Sequence, residues 1–135
     1  MTYTKDENCI FCKIIAGEIP SYKVFENENF FGFLTIMPHT KGHMLLIPKN
    51  HTEDILSSED EISDEMFKIG KTLAKKIKQI FKSKRISFQL AGLDVSHLHL
   101  HIYPISTNED LNPHQAYKAS KEELEEVQNI YLKSI

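Results

Sequence analysis

Apolar positions in the first fifty residues come in short bursts. "CIFCKIIAGEIP", residues 9–20, opens with closely spaced apolar residues suited to one or two helical turns, which Gly17 and Pro20 end. Short strands are predicted over Tyr22–Glu26, Phe30–Thr35 and His43–Pro48, with Pro38 and Gly42 marking a turn before the third. From Ser63 to Phe81 the period changes. Met66, Ile69, Leu73, Ile77 and Ile80 recur at three- and four-residue spacing while Lys71, Lys75, Lys78 and Lys82 fall elsewhere, the pattern of an amphipathic helix. "RISFQLAG" and "SHLHLHIYP" return to strand spacing on either side of a turn at Gly92. Ser120 and Glu123 form a capping-box pattern ahead of Leu124, Val127, Ile130 and Tyr131, predicting a C-terminal helix. The order β-β-β-α-β-β-α predicts an α+β domain: an antiparallel sheet of about five strands against one long and one or two shorter helices.

Length and charge narrow this picture. The 135 residues, 41% hydrophobic and 26% charged, suit one soluble domain over 1–135. A net charge of -3 gives no global attraction to nucleic acid or an anionic membrane, so any phosphate-bearing ligand must be held by local groups. Lys71 to Arg85 reads as a solvated helix face, not a nucleic-acid patch, because few aromatics are interleaved and acidic residues lie nearby. The N-terminus lacks the basic start and apolar run of a signal peptide, and no stretch approaches the roughly 20 apolar residues of a membrane span. A cytoplasmic protein is expected.

The last predicted strand carries the chemistry. Alternation sets His97, His99 and His101 on one face and Leu98, Leu100 and Ile102 on the other. A wet face could simply tolerate histidine, and two of the three could share a metal. The row also suits phosphoryl or nucleotidyl transfer, in which one neutral imidazole attacks phosphorus while its neighbours hold anionic oxygens or protonate the leaving group. Three in register, with His43 and His51 flanking an apolar strand, favour a functional site. Cys9 and Cys12 are less decisive, since a Cys-X-X-Cys can be redox-active, zinc-binding or two small core residues.

The stretch from His97 to Ile102 resembles the His-φ-His-φ-His-φ signature of the histidine triad family of nucleotide hydrolases and transferases. "CIFCKIIAGEIPSYKVFENENFFGFL" and "PHTKGHMLLIPKNH" resemble its N-terminal and central blocks, so the likeness covers about residues 9–105 and leaves 106–135 as a helical extension. It implies a homodimer and a ping-pong reaction at the α-phosphorus of a purine nucleotide derivative. His99 corresponds to the nucleophile, His101 to a phosphate contact, His43 to a fourth histidine across the site, and His97 to the first of the row. Some members also hold structural zinc, with ligands that map onto Cys9, Cys12, His51 and His97. Substrate contacts map onto Ile14, Phe31, Thr35, Asp94 and Ser96.

Two departures bear on the substrate. Thr35 stands where many members have a ribose-binding aspartate, and a hydroxyl accepts less than a carboxylate can. Gly92-Leu93-Asp94 replaces the familiar Gly-Gln-Ser or Gly-Gln-Thr, setting an anion where phosphate is expected. Phe30, Phe31 and Phe33 read chiefly as core, and His39 and His114 as surface residues. A nucleotide- or zinc-binding module with weak or lost catalysis, and a hydrolase with a catalytic metal on His97 and His99, remain the rival readings.

Overall fold

The computed structural model describes residues 5–135; the first four residues of the N-terminal stretch read above for a leader lie outside the described residues. Helix α1 (Ile10–Ile15) is a turn and a half long, with Cys9 as its N-cap. Strands β1 (Lys23–Glu26), β2 (Phe30–Leu34) and β3 (Met44–Pro48) follow, then α2 (Asp60–Phe81), β4 (Arg85–Gln89), β5 (Leu100–Ile105), two short 3-10 turns and α3 (Lys121–Ser134). The five strands form one sheet in the order β1-β2-β3-β5-β4, with every neighbouring pair antiparallel. The predicted α+β architecture and element order are therefore present. Among the described residues no helix is long and apolar enough to cross a membrane.

Strand alternation gives the sheet two different faces. Phe30 and Leu34 of β2, Met44 and Leu46 of β3, and Leu100 and Ile102 of β5 join Met66, Leu73 and Ile77 of α2 and Leu124, Val127 and Tyr131 of α3 in the main core. Helix α2 begins three residues before the predicted Ser63, where Asp60 and Glu61 place negative charge in its first turn against the positive end of the helix dipole. Its exposed Lys71, Lys75 and Lys78 match the reading of a solvated face. Phe31, Phe33, Leu45 and Ile47 point the other way and pack with Phe11, Cys9 and Cys12 in a second, smaller cluster under α1, with Ile14 against it.

The predicted strand "SHLHLHIYP" is corrected at its start. β5 begins at Leu100, so of the three histidines only His101 lies in the ladder, and residues 90–99 form a wide loop instead of a tight hairpin at Gly92. The last β3–β5 pair is Leu46 with Leu100. Beyond it Pro48 has no N–H to give, and the Leu98 N–H donates instead to the Thr52 carbonyl at 2.6 Å. Facing survives the loss of the ladder: Leu98 stays in the main core while His97 and His99 are buried toward the second cluster.

Candidate functional site

The histidine row divides into two groups. His97 turns toward α1, where its Nδ1 lies 3.3 Å from Cys9 Sγ and 3.6 Å from Cys12 Sγ, and His51 Nδ1 lies 3.4 Å from Cys12 Sγ. The four ligand atoms of Cys9, Cys12, His51 and His97 all fall within 4.8 Å of one another. A tetrahedral zinc with usual Zn–S and Zn–N bonds requires S···N edges of about 3.5 Å, so these residues fit the ion. Their protonation fits as well. His97 Nε2–H donates to the Pro48 carbonyl at 2.9 Å, which leaves the Nδ1 lone pair facing the thiols. His51 turns its other nitrogen toward Asp6, whose carboxylate is 4.0 Å away. The Cys12 N–H donates to Cys9 Sγ, so the start of α1 itself orients a ligand atom.

The second group contains His99, His101 and His43. His99 Nδ1–H donates to the carbonyl of His97 at 2.6 Å, leaving Nε2 as an unprotonated lone pair. The ring is only 2% exposed, wedged edge-on against Phe11 with centroids 5.1 Å apart and against His101 at 5.0 Å. Gly92 makes this placement feasible: at φ +53, a Cβ there would sit 2.8 Å from His99 Cε1.

A second chain of hydrogen bonds fixes the other rings. The backbone N–H of His39 donates to His43 Nδ1 at 3.0 Å, so His43 carries its proton on Nε2. That proton points at His101 Nδ1, 2.9 Å away, and His101 is left with Nε2–H at the open end of the chain. Burial pushes His43 down to about 2, helped by the neighbouring His101 and His39. Burial likewise brings His101 to about 4, with His99 and His39 lowering it and the Asp94 carboxylate opposing them. Both rings are neutral near pH 7. Tyr103, two residues on from His101, stacks against His43 at 4.5 Å and accepts a hydrogen bond from Gln89 Nε2 at 2.8 Å.

The predicted substrate residues scatter round this centre. Phe31 and Ile14 are in and against the second apolar cluster. Thr35 lies beside the His43 backbone, but its hydroxyl accepts the Met37 N–H at 3.1 Å. Asp94 and Ser96 line a cleft of about 240 Å³ that also reaches Asp6, Cys9 and His51. The surface reading of His39 is corrected: the side chain is half-buried, edge-on to His43 at 5.3 Å and against Tyr103 at 5.0 Å, with Nδ1 buried and unpaired. His114 is exposed as expected. Sequence reasoning missed Phe11, Tyr103 and Gln89 as neighbours of the histidines, although Tyr103 shares the His101 face by simple alternation.

With sheet, thiol-imidazole cluster and hydrogen-bonded rings in place, the chain belongs to the HIT domain family, whose sequence profile matches residues 16–108. "Protein hit" of Bacillus subtilis is 44% identical over 103 residues, 73% of this chain and 71% of that one. Adenosine 5'-monophosphoramidase HNT1 of Saccharomyces cerevisiae is 39% identical over 102 residues, 75% of this chain and 65% of that protein. A Zn-bound histidine triad family protein from Mycobacterium smegmatis superposes with a TM-score of 0.79 at 28% identity, covering 94% of this chain and 92% of that one. The family thus includes a nucleotide hydrolase, and a fold neighbour that holds zinc.

Proposed function

We propose that this protein hydrolyses nucleoside 5'-monophosphate derivatives through a covalent nucleotidyl-histidine on His99. The observation that carries the reading is the 2.6 Å bond from His99 Nδ1–H to the His97 carbonyl, which leaves Nε2 free to attack. In the first half-reaction the Nε2–phosphorus bond forms as the bond to the leaving group breaks, and the departing atom takes up one proton. In the second, water forms the new P–O bond as P–Nε2 breaks, and one proton is returned. His101 Nε2–H, at the end of the His39–His43–His101 chain, is the donor for a phosphate oxygen or the leaving atom. The Nδ1–H bond to the carbonyl also stabilises the positive charge that His99 carries in the adduct.

Zinc is the ion proposed for Cys9, Cys12, His51 and His97, in a structural role: when bound it ties α1 to the end of β3 and to the loop before β5. Supplying four protein ligands leaves that site no open position for water, unlike a catalytic centre. The substrate proposed is a purine nucleotide derivative, with Phe31 and Ile14 toward the base and Ser96 on the cleft rim; likeness to the family supports a cytoplasmic homodimer. A second reading, nucleotide binding without turnover, draws on Thr35, whose hydroxyl is already engaged by Met37.

One experiment separates the two. Incubation with adenosine 5'-phosphoramidate, acid-free quenching and peptide mapping should place the nucleotidyl group on His99. The His99→Ala protein should show no adduct and turnover reduced by at least about 10⁴-fold. Turnover undiminished in that variant would remove the mechanism, and nucleotide affinity with neither adduct nor turnover would establish the binding reading.

A further inference from the structure

The acidic residue beside the nucleophile has a geometry of its own. Asp94 Oδ1 lies 3.7 Å from His99 Nε2, and the carboxylate is 78% exposed while the imidazole is 2% exposed. Because the His99 proton is on Nδ1, the carboxylate faces a lone pair across that gap and no hydrogen bond joins them. The same Oδ1 accepts the Val95 N–H at 3.1 Å. Any phosphorus that bonds to Nε2 must therefore pass within a few ångströms of a negative charge. His43 and His101 beside it are neutral, and a zinc held by two thiolates and two imidazoles has no net charge. The cleft of about 240 Å³ that opens from Asp94 carries a second carboxylate, Asp6, on its rim.

We propose that Asp94 is a specificity-determining residue that selects nucleotide derivatives with an amine leaving group and rejects those with a polyphosphate leaving group. The inference rests on the hydrolase reading above and narrows its substrate class. A phosphoramidate presents one negative charge at the reacting phosphorus, and its leaving amine adds none. A polyphosphate chain brings two or more further negative charges. Like charges beside a largely exposed carboxylate repel weakly one at a time, but the penalty grows with each added phosphate.

The test uses Asp94→Asn, which keeps the Oδ1 acceptor for Val95 and replaces the charge by a neutral amide, with Asp94→Glu as the charge-retaining control. Asp94→Ala removes the charge without adding a donor and should shift the ATP-to-AMP affinity ratio in the same direction as Asp94→Asn. Calorimetric binding of AMP, ADP and ATP is measured without regard to turnover. Asp94→Asn should raise the ATP-to-AMP affinity ratio about tenfold over wild type, and Asp94→Glu should leave it within about twofold. The kcat/KM ratio of diadenosine triphosphate to adenosine 5'-phosphoramidate should move in the same direction by a similar factor. An affinity ratio unchanged in Asp94→Asn overturns the selectivity role, whatever the turnover. A shifted affinity ratio in a protein that forms no adduct on His99 overturns the hydrolase reading and leaves Asp94 as a selector of ligand charge.

Discussion

His97 and His99 are two residues apart and both buried, yet they serve opposite arrangements. The His97 group brings together Cys9, Cys12 and His51 from segments as much as 88 residues away, and its imidazole and thiol ligands converge on one point. The His99 group is a line instead: a backbone N–H, then His43, then His101, with His99 beside its end. In the first, sulfur and imidazole lone pairs converge on one point, where a cation can take all four. In the second, the Nδ1 lone pairs of His43 and His101 each meet a proton, so those two rings are held neutral without any added group. On the proposed function, one row of identical side chains supplies both anchor and reagent: what each nitrogen faces decides its role, and backbone carbonyls decide which nitrogen that is. The two halves meet at a single peptide, since His97 anchors its ring to Pro48 while its own carbonyl orients His99.

The largest effect should come from breaking the converging half. Cys9→Ser with Cys12→Ser removes both thiolates, and metal content should fall from one ion per chain to near none. A ligand held at about a thousand times its Kd contributes about 4 kcal/mol to stability, so urea unfolding at saturating zinc should shift by about that amount in the double variant. Chelation of the wild-type protein should reproduce the shift. Turnover should decline only through loosening of the 97–99 peptide, and activity abolished at once by chelator in a still-folded protein would instead make the metal part of the chemistry.

How much of this was readable in the sequence divides along the same line. The element order and the facing of the sheet follow from local alternation, and Leu98, Leu100 and Ile102 occupy the core as their spacing demands. The end of the ladder did not follow, because it depends on a missing N–H at Pro48 and on an acceptor at Thr52, 46 residues from Leu98. The spacing of Cys9 and Cys12 left three readings open, and only a family resemblance joined them to His51 and His97. His39 does not read as buried because Tyr103 comes from a strand 64 residues away, and Pro38 and Gly42 mark the turn without showing that it folds His39 back onto His43. Asp94 was visible as an anion in an unexpected place, but its distance from Nε2 is a property of the loop alone.

The next test leaves the metal cluster alone and moves the reagent. Gly92→Ala introduces a Cβ at φ +53 and sets it 2.8 Å from His99 Cε1, so either the loop or the imidazole must shift. Strain at that φ should cost about 1 kcal/mol of stability. Misplacement of the proposed nucleophile by even an ångström should cost more, roughly 100-fold in kcat, or about 2.7 kcal/mol in the barrier. Metal content should remain at one ion per chain. An alanine variant with full kcat would show that the loop yields freely and that Gly92 does not set the ring.

The smallest effect concerns acid, and it distinguishes a chain that must stay neutral from a cluster held by a cation. His101 has a folded-state value of about 4 and His43 of about 2, against about 6.5 when unfolded. The unfolded chain therefore binds more protons between those limits, so stability is full above about pH 6.5 and is lost as pH falls toward 4. The rings that face His101 are His43, His99 and His39, with Asp94 as the opposing charge, so protonating one of them penalises the next and the contributions do not add. For the pair, a progressive loss of stability across that range is expected at saturating zinc. His101→Gln, which keeps polar reach toward His43 but cannot take a proton, should flatten the slope by about half. An identical slope in wild type and His101→Gln would mean that acid acts through the metal ligands alone, and the neutral chain would then contribute nothing to how the fold responds to pH.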